Sequence, residues 1–349
     1  MRFPSALRFL AAGLVAALLP GPASAGTSVG PRRSLLVDGQ PFHPVCLYHA
    51  RWAEAAALGF NCVIPGTVPD PEEVAAGLAG GVRHIAEYSD FVRRGDLAAL
   101  RAAAERLRDA PILASYVVDE PHYARLAPAA VAAAARVLKE AAPNHPTLVV
   151  DERDAVTAYA RTADVIGLDH YPVRWTGYRY GFPGRTTDSL ESVGRYVDKA
   201  VRAAGAERPV WFALQAHRIP SDAAYPDSAR WPTPEEVRAM AYLALNHGAT
   251  GILVYAYADD HQGIKGFKFN PALAAAVGAL ASELRAVLPA YTHGEVTPLP
   301  AEGPVDAVRI AYAGTLRVVV VNQSGRPAPV GLPGLGRRVL APLEVVIAP

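Results

Sequence analysis

Two adjacent carboxylates, Asp119 and Glu120, end an apolar, strand-like run of this chain. The run covers residues 112–118, and Pro121 prevents the strand from continuing beyond the pair. Side chains alternate along a strand, so the two carboxylates start on opposite faces unless the strand is already turning. A carboxylate at the end of a buried strand is costly unless it is solvated, paired or used in a reaction. The pair is therefore the first candidate for chemistry.

Polar and aromatic residues also follow the other predicted strands. They are Tyr48, His49, Glu87, Tyr88, Asp151, Glu152, Asp169, His170, Tyr171, Gln215, His217, Tyr255, Tyr257, Asp259 and Asp260. Two long connections between later elements add Trp175, Tyr178, Tyr180, Phe182, Tyr225 and Trp231. Rings beside carboxylates and amides suit sugars, whose C–H faces pack on rings while their hydroxyls form hydrogen bonds. A simpler interpretation is that a strand-terminal carboxylate caps the next helix, for which Asp151 and Asp154 are good candidates.

Alternating strand-like and helix-like segments must position these residues. The predicted strands are His43–Tyr48, Asn61–Ile64, Val82–Ala86, Ile112–Val118, Thr147–Val150, Asp164–Leu168, Pro209–Leu214 and Gly251–Tyr255. The predicted helices between and after them are Arg51–Leu58, Pro71–Leu78, Asp96–Arg108, Pro128–Ala141, Ala155–Arg161, Ser189–Ala204, Pro234–Asn246 and Pro271–Leu288. Eight such units predict an α/β fold, a (β/α)8 TIM barrel, whose active site lies at the carboxyl ends of the strands. An open doubly wound sheet is less favoured because no Gly-rich phosphate loop follows the first strand.

The last part of the chain has a different pattern. Residues Ala307–Ala313, Leu316–Asn322 and Val339–Ile347 are strand-like, with turn residues between them and no helical periodicity. We therefore predict three parts: a signal peptide at 1–25, the barrel at 34–290, and a small all-β, sandwich-like domain at 291–349.

Composition and the amino terminus bound the class of protein. A basic start, an apolar run at 9–19 and the small residues before Ala25 indicate a signal peptide cleaved near that residue, and hence a secreted or periplasmic protein without a membrane anchor. The net charge of +1, without a basic run, argues against nucleic acid as a partner. Of the two cysteines, Cys46 and Cys62, we expect buried free thiols, although an oxidising compartment permits a disulfide.

Several segments resemble the secreted (β/α)8-barrel glycoside hydrolases. "LLVDGQPFHPVCLYH" and "LGFNCV" are similar to the first two strands of that group, and "YVVDEPH" to the fourth, which carries the catalytic acid. "ADVIGLDHYPV", "RPVWFALQAH" and "ALNHGATGILVYAY" are similar to the sixth, seventh and eighth strands. The resemblance covers nearly all of the barrel and is to the clan-A-like group rather than to one family. It implies that Glu120 is the general acid/base.

Two positions depart from the main retaining pattern of that group. Asp119 stands where an Asn precedes the acid, and Gln215 stands where a nucleophilic Glu ends the seventh strand. An amide cannot form a glycosyl ester, so the two-carboxylate retaining mechanism is not available at that position. An Asp-Glu pair on the fourth strand resembles the substrate-assisted hexosaminidases instead.

That resemblance implies that Asp119 orients the acetamido group of the substrate. A supporting hydroxyl would come from one of the tyrosines Tyr171, Tyr255 or Tyr257. An inverting mechanism stays open, with Asp169, Glu152 or Asp260 as the base for water.

The leading hypothesis is an extracellular glycoside hydrolase of poly- or oligosaccharides. Its predicted catalytic residues are Glu120, Asp119 and Asp169, and its predicted substrate-binding residues are Tyr48, His49, Glu87, Tyr171, Trp175, Gln215, His217, Tyr255, Tyr257 and Asp260. The alternative is a catalytically inactive carbohydrate-binding barrel, in which Gln215 replaces a lost nucleophile. A weaker hypothesis is a metal-dependent hydrolase using His49, His217 and Asp169, but no HxH or HExxH pattern supports it. We expect a monomer without a metal or cofactor.

Overall fold

The computed structural model describes residues 26–173, 190–219, 230–261 and 263–349. Eight parallel strands close into a barrel in the order of the chain. They are Val45–Tyr48, Cys62–Ile64, Arg83–Glu87, Ala114–Asp119, Thr147–Glu152, Val165–Asp169, Val210–Gln215 and Gly251–Tyr255. We call them barrel strands 1 to 8. The predicted TIM barrel with an all-β carboxyl-terminal region is confirmed, and each predicted strand overlaps an observed one.

The α-helices surround the barrel. They are Trp52–Ala57, Pro71–Ala79, Ser89–Arg94, Leu97–Arg106, Pro128–Ala141, Val156–Tyr159, Glu191–Ala204, Pro234–Asn246 and Pro271–His293. Thr233 caps the helix that starts at Pro234, because its side chain accepts from the backbone N–H of Glu236. The short helix Ser89–Arg94 was not predicted, and the last helix continues five residues beyond Leu288.

The last helix, Pro271–His293, is also long and apolar enough to cross a bilayer, judged by length and composition alone. Its side chains Leu273, Val277, Leu284 and Leu288 are buried in the core between the helices and the barrel. One side of this helix therefore packs on the core.

A three-stranded antiparallel sheet precedes the barrel and was not predicted. Its strands are Thr27–Val29, Leu35–Val37 and Gln40–Phe42. Leu35 and Val37 are buried with the side chains of the barrel interior. The Thr27 hydroxyl donates to the Ile112 carbonyl, 3.1 Å away, just before barrel strand 4 begins. This sheet therefore packs at the amino-terminal end of the barrel, opposite to the end where the Asp119–Glu120 pair lies.

The expectation of two free thiols was wrong. Cys46 and Cys62 are directly paired in the register of barrel strands 1 and 2, and they form a disulfide. Their Cα atoms are 4.3 Å apart, and both residues are fully buried in the barrel interior. The register of the two neighbouring strands sets this approach, and spacing along the chain does not reveal that register.

The carboxyl-terminal region consists of a four-stranded antiparallel sheet and a hairpin. The sheet contains Glu295–Pro298, Val305–Tyr312, Thr315–Asn322 and Val345–Ala348, and the hairpin contains Ala328–Leu332 and Gly336–Leu340. The single strand predicted over Val339–Ile347 is wrong, since a turn divides it between hairpin and sheet. One face of the sheet packs on the hairpin, and the other faces the helices Pro234–Asn246 and Pro271–His293.

Candidate active site

An irregularity in barrel strand 4 decides which way its terminal carboxylates point. The register with barrel strand 5 shifts between Tyr116 and Val118. Tyr116 faces the barrel interior, whereas Val117 and Val118 both belong to the outer core against the helices. The extra residue reverses the alternation, so Asp119 comes back to the interior side above Tyr116. The Tyr116 hydroxyl donates a hydrogen bond to Asp119 Oδ1.

Asp119 is held from three directions. Beneath it, the Tyr48 hydroxyl lies 3.1 Å from the Tyr116 hydroxyl, which continues the chain of hydrogen bonds toward the wall of the cavity. The Asp119 backbone N–H donates to Ser89 Oγ at 3.0 Å, and its carbonyl accepts from Arg93 Nη2 at 2.8 Å. Burial raises the pKa of Asp119, and the hydrogen bond from Tyr116 opposes that rise. Tyr116 of the same strand thus holds the carboxylate, and the helix Ser89–Arg94 holds the backbone of Asp119.

Glu120 lies in the left-handed region, with φ of +41°. This conformation turns its side chain toward the same cavity as that of Asp119, which a regular strand would not do. Its carboxyl group is within hydrogen-bonding reach of Asp169, which ends barrel strand 6 and is buried. Burial, followed by the charge of Asp119, raises the pKa of Glu120 to about 7. Burial and repulsion from Glu120 raise the pKa of Asp169 well above its ordinary value. The pair therefore retains a proton at a pH where an isolated carboxyl group has lost it.

A cavity of about 470 Å³ opens at the carboxyl-terminal end of the barrel. The residues that line the cavity form an acidic wall, an aromatic wall and a third group. The acidic wall is Glu87, Asp119, Glu120, Glu152 and Asp169; the aromatic wall is Tyr48, His49, Tyr171, His217 and Tyr255; the remaining lining residues are Tyr123, Val150, Ile219 and Ile264. The volume lies within the roughly 300–1,000 Å³ of small-molecule sites.

The acidic wall carries five carboxyl groups, and none of the described residues that line the cavity is Lys or Arg. Glu87 accepts a hydrogen bond from Ser89 Oγ at 2.6 Å, so one serine hydroxyl joins Glu87 to the backbone of Asp119. Burial and the charge of Asp119 raise the pKa of Glu87 to about 7. Like charges gathered in a poorly solvated site shift one another in this way, which is typical of acid–base sites.

The aromatic wall is built from rings in mutual contact. Tyr171 and Tyr255 are stacked with centroids 5.6 Å apart, and His217 meets both edge-on. His49 Nδ1 lies 2.5 Å from Asp259 Oδ1. Burial alone would lower the pKa of His49, but the hydrogen bond to Asp259 and the negative charges of Asp259, Glu87 and Asp119 together outweigh it, so the pKa is raised. Such a wall offers flat apolar faces on one side of a ligand, while the carboxyl groups face the other side.

Several predicted residues lie elsewhere. Gln215 is fully buried and does not line the cavity; its amide donates to the Val173 carbonyl at 2.5 Å and accepts from the Val173 N–H at 2.8 Å. Tyr257 packs on Phe267, and Asp260 lies exposed on a short hairpin, 3.8 Å from Lys265. None of the three is among the described residues that line the cavity. Trp175 lies outside the described residues.

Asp151 was suggested as a helix cap and has another role. Its side chain is fully buried, and it accepts hydrogen bonds from the ring of His122 and from the backbone N–H of Glu152. The cap interpretation is wrong because these donors occupy the carboxylate.

Sequence reasoning missed a group of residues that support or line the site. They are Ser89, Tyr116, His122, Tyr123, Ile219 and Ile264. Tyr116 and Asp119 are three residues apart, so a regular strand would place them on opposite faces. Only the irregularity in the strand brings both side chains to the same face. Among the residues that the structure describes, no group of three or more His, Cys, Asp or Glu side chains is arranged to hold a metal ion.

Comparison with known proteins places the fold. No family model matches the chain, and no curated protein matches it. A glycoside hydrolase of family 5 from Bacteroides vulgatus has the same fold, with a TM-score of 0.64 and 16% identity over 88% of this chain and 82% of that one. A structure described only as a glycoside hydrolase has a TM-score of 0.60 and 14% identity, over 88% of this chain and 85% of that one. A family 39 glycoside hydrolase from Bacteroides cellulosilyticus has a TM-score of 0.55 and 11% identity, over 90% of this chain and 86% of that one. At these identities the likeness is one of fold.

Proposed function

We propose that this protein hydrolyses glycosidic bonds, with Glu120 as the general acid. The observation that carries the proposal is the placement of Glu120 at the cavity, paired with Asp169 and with its pKa raised to about 7. A carboxyl group that is still protonated near neutral pH can give its proton to a leaving glycosidic oxygen. The shared fold of the glycoside hydrolases compared above supports the same reaction class by analogy.

The neighbours of Glu120 favour a substrate-assisted reaction. Gln215 is not a carboxylate and is bound to Val173, so barrel strand 7 supplies no nucleophile. Asp169 lies within hydrogen-bonding reach of Glu120, whereas an inverting pair needs about 6.5–9.5 Å to admit water. Asp119 is held by Tyr116 and lines the cavity, where it can orient an acetamido group of the substrate.

In the proposed first step, the acetamido oxygen of the sugar attacks the anomeric carbon. The bond to the leaving oxygen breaks as Glu120 protonates that oxygen, and a cyclic oxazolinium forms. In the second step water attacks the same carbon and the ring opens, while the Glu120 carboxylate accepts the proton of that water. The tyrosines Tyr171 and Tyr255 pack against the apolar face of the sugar.

We also propose that the protein is exported and works outside the cytoplasm. The support is the amino-terminal segment, read as a signal peptide, together with the disulfide between Cys46 and Cys62. Disulfides persist in oxidising compartments and are rare in the cytosol.

The test is hydrolysis of a panel of aryl glycosides, including aryl N-acetylhexosaminides, by the purified mature chain and by Glu120→Gln. We expect release of the aryl group by the wild type and a loss of kcat of about 100-fold or more in the variant. Glu302→Gln, at an exposed carboxylate of the carboxyl-terminal region, is the matched control and should keep full activity. No turnover by the wild type on any substrate, or full activity of Glu120→Gln, would refute the proposal.

A second candidate is a carbohydrate-binding barrel without turnover. The observation that favours it is Gln215 at the end of barrel strand 7, where a retaining enzyme has its nucleophile. Calorimetric titration with oligosaccharides separates the two candidates. Saturable binding by both the wild type and Glu120→Gln, with no sugar released, would favour the binding protein.

A further inference from the structure

The backbone that carries Glu120 is held in an unfavourable conformation by contacts outside the cavity. A non-glycine residue in the left-handed region is strained and persists only where its surroundings impose that conformation. Pro121 follows, and a residue before proline is itself restricted toward extended conformations. The φ of +41° at Glu120 therefore needs external support.

Three contacts from barrel strand 5 provide that support. The Glu120 backbone N–H donates to the Val150 carbonyl at 2.9 Å. The His122 backbone N–H lies 3.3 Å from Asp151 Oδ2, and the His122 ring Nδ1 binds Asp151 Oδ1. The turn is thus attached on both sides of Pro121, and two of its three attachments go to one carboxylate.

Asp151 is suited to this role because it is fully buried and has its partners in place. Its side chain is 0% exposed. A buried carboxylate without partners would be strongly destabilising, so the His122 ring and the two backbone N–H donors stabilise it as much as it holds them. Asp151 Oδ1 accepts a hydrogen bond from Nδ1 of the His122 ring, so the ring proton lies on that nitrogen.

The other ring nitrogen of His122 lies beside the cavity wall. His122 Nε2 lies 3.6 Å from Glu152 Oε1, and Arg153 also pairs with the Glu152 carboxylate. The His122 ring lies against that of Tyr123, with centroids 3.8 Å apart. Tyr123 and Glu152 line the cavity, whereas His122 and Asp151 do not.

We propose that His122 and Asp151 are positioning residues: together they clamp the turn after barrel strand 4 and hold Glu120 in the conformation that directs its carboxyl group into the cavity. This inference rests on the proposed function of Glu120, but its geometric part can be tested apart from it. Removal of the clamp lets the turn relax, and the acid moves away from the leaving oxygen.

The first test is kinetic and uses four variants with the best substrate of the panel. We expect His122→Ala and Asp151→Asn to lower kcat on the order of 100-fold, as displacement of a catalytic group by about 1 Å can do. KM should change little, because neither residue lines the cavity. Asn can place an amide donor near the position of Nδ1, and Gln near that of Nε2. His122→Asn should therefore recover most of the activity, and His122→Gln should not.

The control is a histidine–aspartate cluster far from the site. His247 binds Asp198 and Asp306, and His247→Ala should lower stability without lowering kcat of the folded protein. Wild-type kcat in His122→Ala, or recovery by His122→Gln rather than by His122→Asn, would overturn the proposed clamp.

The second test does not depend on activity. Crystal structures of the wild type and His122→Ala should show φ of Glu120 positive in the first and relaxed to negative values in the second. An unchanged Glu120 backbone in the variant would overturn the clamp. If the wild type hydrolyses no glycoside, the proposed function fails, and this comparison still decides whether the clamp exists.

Discussion

Glu120 acquires its acid character from its surroundings rather than from its residue type. Burial is the largest cause of its raised pKa, and the charge of Asp119 is the next. Asp119 in turn is kept closer to its ionised form by the hydroxyl of Tyr116. Burial thus raises the pKa of both adjacent carboxyl groups, and the hydrogen bond from Tyr116 opposes that rise at Asp119.

This arrangement predicts the pH dependence of Asp119→Asn. The pKa of about 7 at Glu120 means that the acid loses its proton, and activity falls, as the pH rises through that value. Removing the negative charge of Asp119 removes repulsion that favours the protonated form, so the basic limb of kcat/KM should move to lower pH. The activity that Asp119→Asn retains should also be small, because Asp119 orients the substrate in the proposed reaction. The measurement is a pH–rate profile of wild type and variant.

Asp260→Asn is the matched control for that profile. Asp260 is exposed and does not line the cavity, so its variant should keep both the rate and the position of the basic limb. A basic limb in Asp119→Asn at or above the wild-type position would contradict the assignment of the titrating group.

Among the elements, barrel strands 1 and 2 are joined covalently as well as by hydrogen bonds. The disulfide links residues 16 positions apart, and both sulfur atoms lie in the barrel interior below Tyr48. A cross-link restricts the unfolded chain, and a loop of this length stabilises the folded state by about 3 kcal/mol. The disulfide thus joins barrel strands 1 and 2 next to Tyr48 of the aromatic wall.

We expect reduction of this disulfide to lower the free energy of unfolding by about 3 kcal/mol. Denaturant unfolding with and without a reductant measures the change. The control is Cys46→Ala/Cys62→Ala, whose stability should not respond to the reductant. Equal midpoints for oxidised and reduced wild type would show that the cross-link does not contribute.

In the whole molecule, the carboxyl-terminal sheet is attached to the barrel by an ionic cluster. His247, after the helix Pro234–Asn246, binds Asp198 of a neighbouring helix at 2.9 Å and Asp306 of the sheet at 3.1 Å. Asn246 contacts Asp306 and Tyr291, which extends the contact to the last helix. Burial alone would lower the pKa of His247, but the hydrogen bonds that its ring donates to Asp306 and Asp198, together with the charges of these carboxylates, raise it to about 9.

The raised pKa predicts a pH-dependent stability. The folded protein binds a proton at His247 more tightly than the unfolded chain, whose ordinary value is 6.5. Its contribution is therefore complete below about pH 6.5 and is lost as the pH rises through about 9. The difference in unfolding free energy between wild type and His247→Gln should be largest at pH 6 and smallest at pH 10.

The exposed His261 provides the control, since the curve of His261→Gln should run parallel to that of the wild type. A wild-type advantage over His247→Gln that stays constant from pH 6 to pH 10 would contradict the role of the protonated imidazole.

The sequence by itself determined the barrel and the face on which the site lies. Apolar runs that alternate with helical periodicity can be read locally, and polar residues at strand ends meet once the strands are parallel and closed. Glu120, Asp119, Asp169, Glu87 and the tyrosines of the aromatic wall were found in this way.

Only the tertiary structure decided the contacts that depend on strand register and on which residues become neighbours in the closed barrel. The shift after Tyr116 turned Asp119 inward, and the left-handed backbone turned Glu120 to the same cavity. Strand pairing brought Cys46 to Cys62, and Val173 took up the amide of Gln215. The physical reason is that one residue of register reverses the face of a side chain, and residues far apart in the chain become partners only after the barrel has closed.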